Sequence, residues 1–181
     1  GVAVSTLLSA MTSLLRLRYP DVAVSYTYFS VGGVSGVTFD RLALPAILIT
    51  AVFLTAMLLA GRLNLLCLGD SLVSSLGVRA KVLRTLALVF ASASAAAAVS
   101  FAGLLGFVGL MIPHITRRLV GGSDLRKLLP AAALLGGTLV TLSDLTGRVL
   151  FAPSEIPAGI ITAILGAPFF FLLLLQRRNR L

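Results

Sequence analysis

The feature that most constrains this chain is a succession of uncharged stretches: Gly1–Leu15, Val22–Phe39, Leu42–Gly61, Thr85–Thr116, Leu128–Ser143 and Ile156–Gln176. An α-helix needs about 20 mostly apolar residues to cross a bilayer, and most of these runs approach that length. Of the 181 residues, 58% are hydrophobic and only 12% charged, more apolar side chain than the core of so short a chain can hide. The surplus must face lipid. The expected class is all-α: a polytopic transmembrane helical bundle.

Two runs do not read as straight crossings. In Val22–Phe39, Gly32, Gly33 and Gly36 with Ser25, Thr27, Ser30 and Ser35 predict a short helix followed by a turn, interfacial or re-entrant. Thr85–Thr116 is too long for one helix and too short for two with a loop. A helix over roughly Thr85–Ala102 followed by an extended, glycine-rich stretch at Gly103, Gly106 and Gly109 is expected, with Pro113 in the first turn of a short helix ending near Leu119. Extended backbone at membrane depth survives only inside protein or beside a cavity, which suggests a conduit. The broken, short helices thus belong to the fold expectation.

The basic residues give an orientation. With crossings alternating, Arg62, Arg79, Lys81, Arg84, Arg117, Arg118, Arg126, Lys127, Arg177, Arg178 and Arg180 fall on one side, and only Arg16, Arg18, Arg41 and Arg148 on the other. The richer side is cytoplasmic by the positive-inside rule. Gly61–Val82 and the C-terminus are therefore expected inside, and Thr146–Pro153 outside. No basic stripe with interleaved aromatics accompanies the formal charge of +9, so nucleic acid is not the expected partner; membrane lipid is. Cys67 is the sole cysteine, which excludes an internal disulfide and a Cys-rich metal site. No linker divides residues 1–181, which read as one transmembrane domain. The chain opens inside an apolar stretch without Met or a basic n-region, and is expected to be a piece of a longer protein lacking N-terminal helices.

The connector Leu63–Leu83 (LNLLCLGDSLVSSLGVRAKVL) is unusually structured for a membrane loop. Asp70 can cap a helix starting at Ser71; Leu68, Leu72 and Leu76 share a face at i, i+4 spacing; Gly77 can end it. A short amphipathic cytoplasmic helix follows, suited to a partner's groove or to lipid headgroups.

The run Leu63–Val78 resembles the cytoplasmic coupling segment of the FecCD-type permeases, membrane subunits of ABC importers for ferric siderophores, haem and cobalamin. Gly103–Arg118 (GLLGFVGLMIPHITRR), Asp124–Pro130 (DLRKLLP) and Glu155–Phe169 (EIPAGIITAILGAPF) resemble the same family in the same order. Such permeases are about twice as long, with ten helices, so the likeness is to the C-terminal portion. It implies coupling to a separate cytoplasmic ATP-binding subunit through Leu68, Gly69, Asp70, Leu72, Leu76 and Gly77. It implies a translocation path beside Gly103, Gly106, Gly109 and Pro113, to which Gly159, Gly166 and Pro168 of the last crossing are added. It further implies a periplasmic or lipid-anchored substrate-binding protein docked at Arg148 and Glu155, a second permease copy or the absent N-terminal half as partner, and a multi-pass place in the cytoplasmic (inner) membrane. The expected function is transport of an iron chelate, ferric siderophore first, with haem and cobalamin open.

Alternative explanations stand beside several of these roles. The small-residue stretch Ala91–Ser100 and the set Gly159, Ala163, Gly166 and Ala167 can simply let helices pack closely. Asp144 and Arg148, spaced i, i+4, can form a local ion pair; an unpaired Arg148 on a basic-poor face favours docking. His114, the sole histidine, has no second ligand nearby in sequence, which favours a structural role over a metal one. The chain shows no phosphate-binding loop and no catalytic constellation, so no catalytic residue, metal or cofactor is expected. A secondary transporter or channel without an ATPase, or a non-transporting assembly subunit, is the competing class.

Overall fold

The computed structural model describes residues 2–69, 73, 79–150, 152 and 155–178. Seven helices carry the chain, and there is no strand among the described residues: α1 (Val2–Arg18), α2 (Pro20–Val31), α3 (Phe39–Asn64), α4 (Ala80–Ala102), α5 (Val108–Val120), α6 (Leu125–Leu150) and α7 (Ala158–Arg178), with a 3-10 turn at Leu65–Leu68 after α3. Four stretches are long and apolar enough to span a bilayer: Phe39–Cys67, Ala80–Ala102, Leu125–Leu150 and Ala158–Leu175. The all-α reading holds, broken helices included.

The helices pack as α3 on α4, α5 on α6, α6 on α7, α3 on α6 and α5 on α7, while α1 pairs with α2. Buried positions are often small: Ala56 and Ala60 in α3, Ala97 and Ala102 in α4, Gly147 in α6, Ala158 in α7. Between apolar helices in lipid there is no hydrophobic gain from association, so backbones close together until small side chains touch. The opposite faces are open, with Leu58 86% and Phe39 90% exposed, as lipid-facing leucines and phenylalanines would be. Within Ala91–Ser100 only Ala97 is buried, so most of that small-residue face is not used inside this chain.

The interrupted crossing is present. Helix α4 stops at Ala102, residues 103–107 are non-helical, and α5 follows. Thirteen residues of helix rise about 20 Å, and the non-helical residues 103–107 lead into them. One expectation fails: α5 starts at Val108, so Pro113 lies in the helix interior rather than in its first turn. Its ring nitrogen cannot donate to the Gly109 carbonyl four residues back.

Candidate functional site

The end of α2, the end of α4 and the start of α7 are joined by backbone hydrogen bonds. Helix C-termini leave carbonyls without partners and N-termini leave N–H groups without acceptors; in lipid each such group costs several kcal/mol. Here the ends complete one another. Leu104 N–H donates to Phe29 O near the end of α2 at 3.0 Å, Gly33 N–H to Ala102 O at the end of α4 at 2.8 Å, and Gly159 N–H at the start of α7 to Gly32 O at 3.0 Å.

The approach is possible because three of these residues are glycine. Gly32 and Gly103 turn through φ +76° and +66°, and a Cβ on Gly103 would stand 2.5 Å from Phe29 O. A Cβ on Gly159 would overlap Val31 O, and one on Gly166 would overlap the Phe107 side chain. Gly106 and Gly109 face open space. Of the three glycines along this passage, only Gly103 makes a close approach. Phe107, the N-cap of α5, is the one non-glycine with positive φ (63°) among the described residues. The missing side chain at Gly166 is what accommodates it. Helix α7 continues through Pro168, which cannot bond to the Ile164 carbonyl.

At the same end of the helices the turn into α7 folds back on α6: Ile156 N–H donates to Gly147 O at 3.3 Å, and a Cβ on Gly147 would overlap Ile156 O. Arg148 is not unpaired, contrary to the premise that favoured docking. Its Nε donates to Asp144 Oδ2 at 2.8 Å, one helical turn back, with 43% of its side chain exposed. Glu155 accepts a hydrogen bond from Ser35 Oγ at 3.1 Å. The two line an open groove of about 500 Å³ with Tyr28, Gly33, Gly36 and Pro157.

At the opposite end, α3 runs into the Leu65–Leu68 turn and the backbone then swings at Gly69, φ 90° and ψ 154°. Leu68 is the last residue of the turn that extends α3. Val73 is buried, and its N–H donates to Gly69 O at 3.1 Å. Asp70, Leu72, Leu76 and Gly77 lie outside the described residues.

Beside this turn, Asn64 Nδ2 donates to Asp124 Oδ1 at 2.6 Å, and Leu125 N–H donates to Asn64 Oδ1 at 2.9 Å. Asp124 also caps α6 by accepting Arg126 N–H at 3.0 Å, as an N-cap carboxylate does. That backbone bond, then the Asn64 amide, then the charges of Arg126 and Lys127 hold its carboxyl below the ordinary carboxylate range, desolvation opposing only in part. A depressed folded-state pKa contributes stability above the unfolded value, lost as pH falls through the folded one. Acidification from neutral pH is thus expected to leave this contact intact until the carboxylate range is passed. In detergent, the melting difference between wild type and Asp124→Ala should be constant near neutrality and vanish in acid; a difference already falling between pH 7 and 6 would contradict the assignment.

His114 sits in α5 with its Nε2 buried and without a hydrogen-bond partner among the described residues; its ring meets Phe169 edge-on, centroids 6.0 Å apart. Gly32, Gly147, Phe107 and the Asn64–Asp124 pair were not anticipated as site residues. An Asp directly before an apolar run was the available signal for the cap at Asp124; for the others, separated partners in space decide, and no local pattern carries that.

Comparison with known proteins sets this geometry in a family. The sequence profile of the FecCD transport family matches residues 1–176. A Bacillus subtilis protein named as a probable siderophore transport system permease, YfhA, is 39% identical over 99% of this chain and 52% of its own length. The cobalamin import permease BtuC of Halobacterium salinarum is 42% identical over 99% of this chain and 48% of itself. A solved structure of a metal-chelate type ABC transporter in an inward-facing conformation matches with TM-score 0.82 at 33% identity, covering 97% of this chain and 57% of that one. The chain spans about half the length of the curated relatives it matches. With its profile matched almost end to end and its interrupted helices in place, the chain belongs to the FecCD transport family.

Proposed function

We propose that residues 1–181 form one transmembrane domain of an ABC importer permease that moves an iron chelate across the cytoplasmic membrane. The observation that carries this reading is the interrupted crossing from α4 to α5, anchored to α2 and α7 by shared backbone hydrogen bonds, within a chain of this family. A ferric siderophore is the first candidate, in keeping with the name of the Bacillus relative; haem and cobalamin are the others, since relatives are named for hemin and cobalamin transport. Gly103, Gly106, Gly109, Pro113, Gly159, Gly166 and Pro168 would border the path.

The partners follow from the same reading. An ATP-binding subunit meets the segment 63–83, with Gly69, Asp70, Leu72, Leu76 and Gly77 at the contact and Leu68 at its base. A substrate-binding protein, periplasmic or lipid-anchored, docks at the outer face near Arg148 and Glu155. A second copy of the permease or a further helical half completes the pathway. ATP hydrolysis belongs to the separate subunit.

Charge supports the orientation. On the outer side Arg16, Arg18, Arg41 and Arg148 are matched in number by Asp21, Asp40, Asp144 and Glu155, so the whole excess of +9 lies on the cytoplasmic side with the C-terminus. In a Cys67→Ser background, an impermeant thiol reagent applied to intact cells is expected to label Thr146→Cys and to spare Ser123→Cys. The reverse pattern would invert the topology. The transport reading itself is tested in vesicles holding the complete complex, supplied with a radiolabelled ferric hydroxamate, hemin or cobalamin. ATP-dependent accumulation of one of them is expected; accumulation driven by an ion gradient without ATP would move the chain to the secondary-transporter class.

A further inference from the structure

The amide of Asn64 is the last side chain of α3, at the base of the segment that the importer reading assigns to the ATPase, and both its ends are engaged. Its nitrogen is held by the Asp124 carboxylate at 2.6 Å and its oxygen by the Leu125 N–H at 2.9 Å, partners some sixty positions away in sequence. These two neighbours fix the amide's orientation, because a carboxylate only accepts and an N–H only donates. One turn earlier the same end of α3 is gripped again: a Cβ on Gly61 would stand 2.5 Å from Arg126 Nη2, so the guanidinium lies directly over the glycine. Leu63 and Leu128, next along each helix, are buried.

Glycine turns flank this contact. After it the chain turns at Gly69 with φ +90°, and before it α5 ends at Gly121 with φ +70°; neither glycine, nor Gly122, has a neighbour within 4 Å of a built Cβ. The α3–α6 junction is thus a fixed point between two turns.

We infer that Asn64 and Asp124 are positioning residues for transport: they clamp the base of the segment 63–83 to the start of α6, so that displacement delivered there by an ATPase is passed into α6 and the connector 121–124 rather than dissipated at the turn. This rests on the importer reading above. Neither residue touches substrate. Their role is to make two separated stretches of chain move as one, and loss of such a link appears as uncoupling rather than as lost binding.

The exchange of the two groups provides the test. Asn64→Asp alone sets a carboxylate against Asp124, leaving two acceptors face to face. Asn64→Asp with Asp124→Asn reverses the donor and acceptor and keeps the Leu125 bond, the new amide turning so that its nitrogen faces position 64 and its oxygen the Arg126 N–H that caps α6. In vesicles containing the complete complex, uptake of the radiolabelled chelate per ATP hydrolysed is expected to fall roughly tenfold in Asn64→Asp, within the range of measured couplings. The exchanged pair should return to within about twofold of wild type. Asn64→Ser, which removes one partner without adding charge, should give an intermediate loss and serves if Asn64→Asp does not accumulate. Wild-type uptake per ATP in both single variants, or an exchanged pair no better than Asn64→Asp, would overturn the clamp while leaving the importer reading intact. Failure of the unaltered complex to take up ferric hydroxamate, hemin or cobalamin with ATP would overturn both.

Discussion

Gly159→Val is expected to remove the folded protein from the membrane almost entirely. A Cβ at this position overlaps the Val31 carbonyl, and the glycine's own N–H is the donor to Gly32 O. Moving α7 outward to make room breaks that bond and leaves the Gly159 N–H and the Gly32 carbonyl without partners. Each orphaned backbone group at membrane depth costs several kcal/mol, so a total of roughly 4 kcal/mol or more is expected, in the range reserved for severe lesions. Gly137→Val supplies the contrast, since Gly137 lies within α6 with nothing near a built Cβ. Membrane abundance and detergent melting should be near normal for Gly137→Val and lost for Gly159→Val. Equal behaviour of the two would show that the backbone joint does not hold these helices.

The second large effect is expected at the outer face. Arg148→Glu should weaken capture of the substrate-binding protein by about 30-fold or more, the equivalent of roughly 2 kcal/mol, at the low end for loss of a buried interfacial charge pair. The ion pair with Asp144 is the competing explanation, and magnitude separates them. An exposed i, i+4 pair contributes only about 0.3–0.5 kcal/mol, too little to account for such a loss. Pairing through Nε also fixes the guanidinium's direction while 43% of the side chain remains exposed. Docking predicts rescue of Arg148→Glu by a Glu→Arg change in the binding protein; a purely local role predicts rescue by Asp144→Arg. Unchanged affinity and unchanged salt dependence in Arg148→Glu would end the docking assignment.

Length and charge alone made the bundle legible, because a run such as Leu42–Gly61 has few physical alternatives. The interruption after Ala102 was legible for a similar reason: 32 residues without charge fit neither one crossing nor two. Where inference failed, local pattern had been asked to decide a tertiary question. Pro113 is compatible with a first turn, but α5 begins five residues earlier because Phe107 can adopt its left-handed cap against the space left by Gly166. Glycines at regular spacing looked alike in sequence, yet Gly103 meets Phe29 O while Gly106 meets nothing. Asn64 and Asp124 are ordinary polar residues until the packing of α3 on α6 brings them together.

The extended run between α4 and α5 also limits what can surround the protein. Leu104 is half exposed and Gly106 is open on one side, so peptide groups of this run are presented outward from the chain. Hydrocarbon offers no hydrogen bonds to them. The annulus of lipid around these helices must therefore be incomplete, interrupted on this face by water or by another polypeptide.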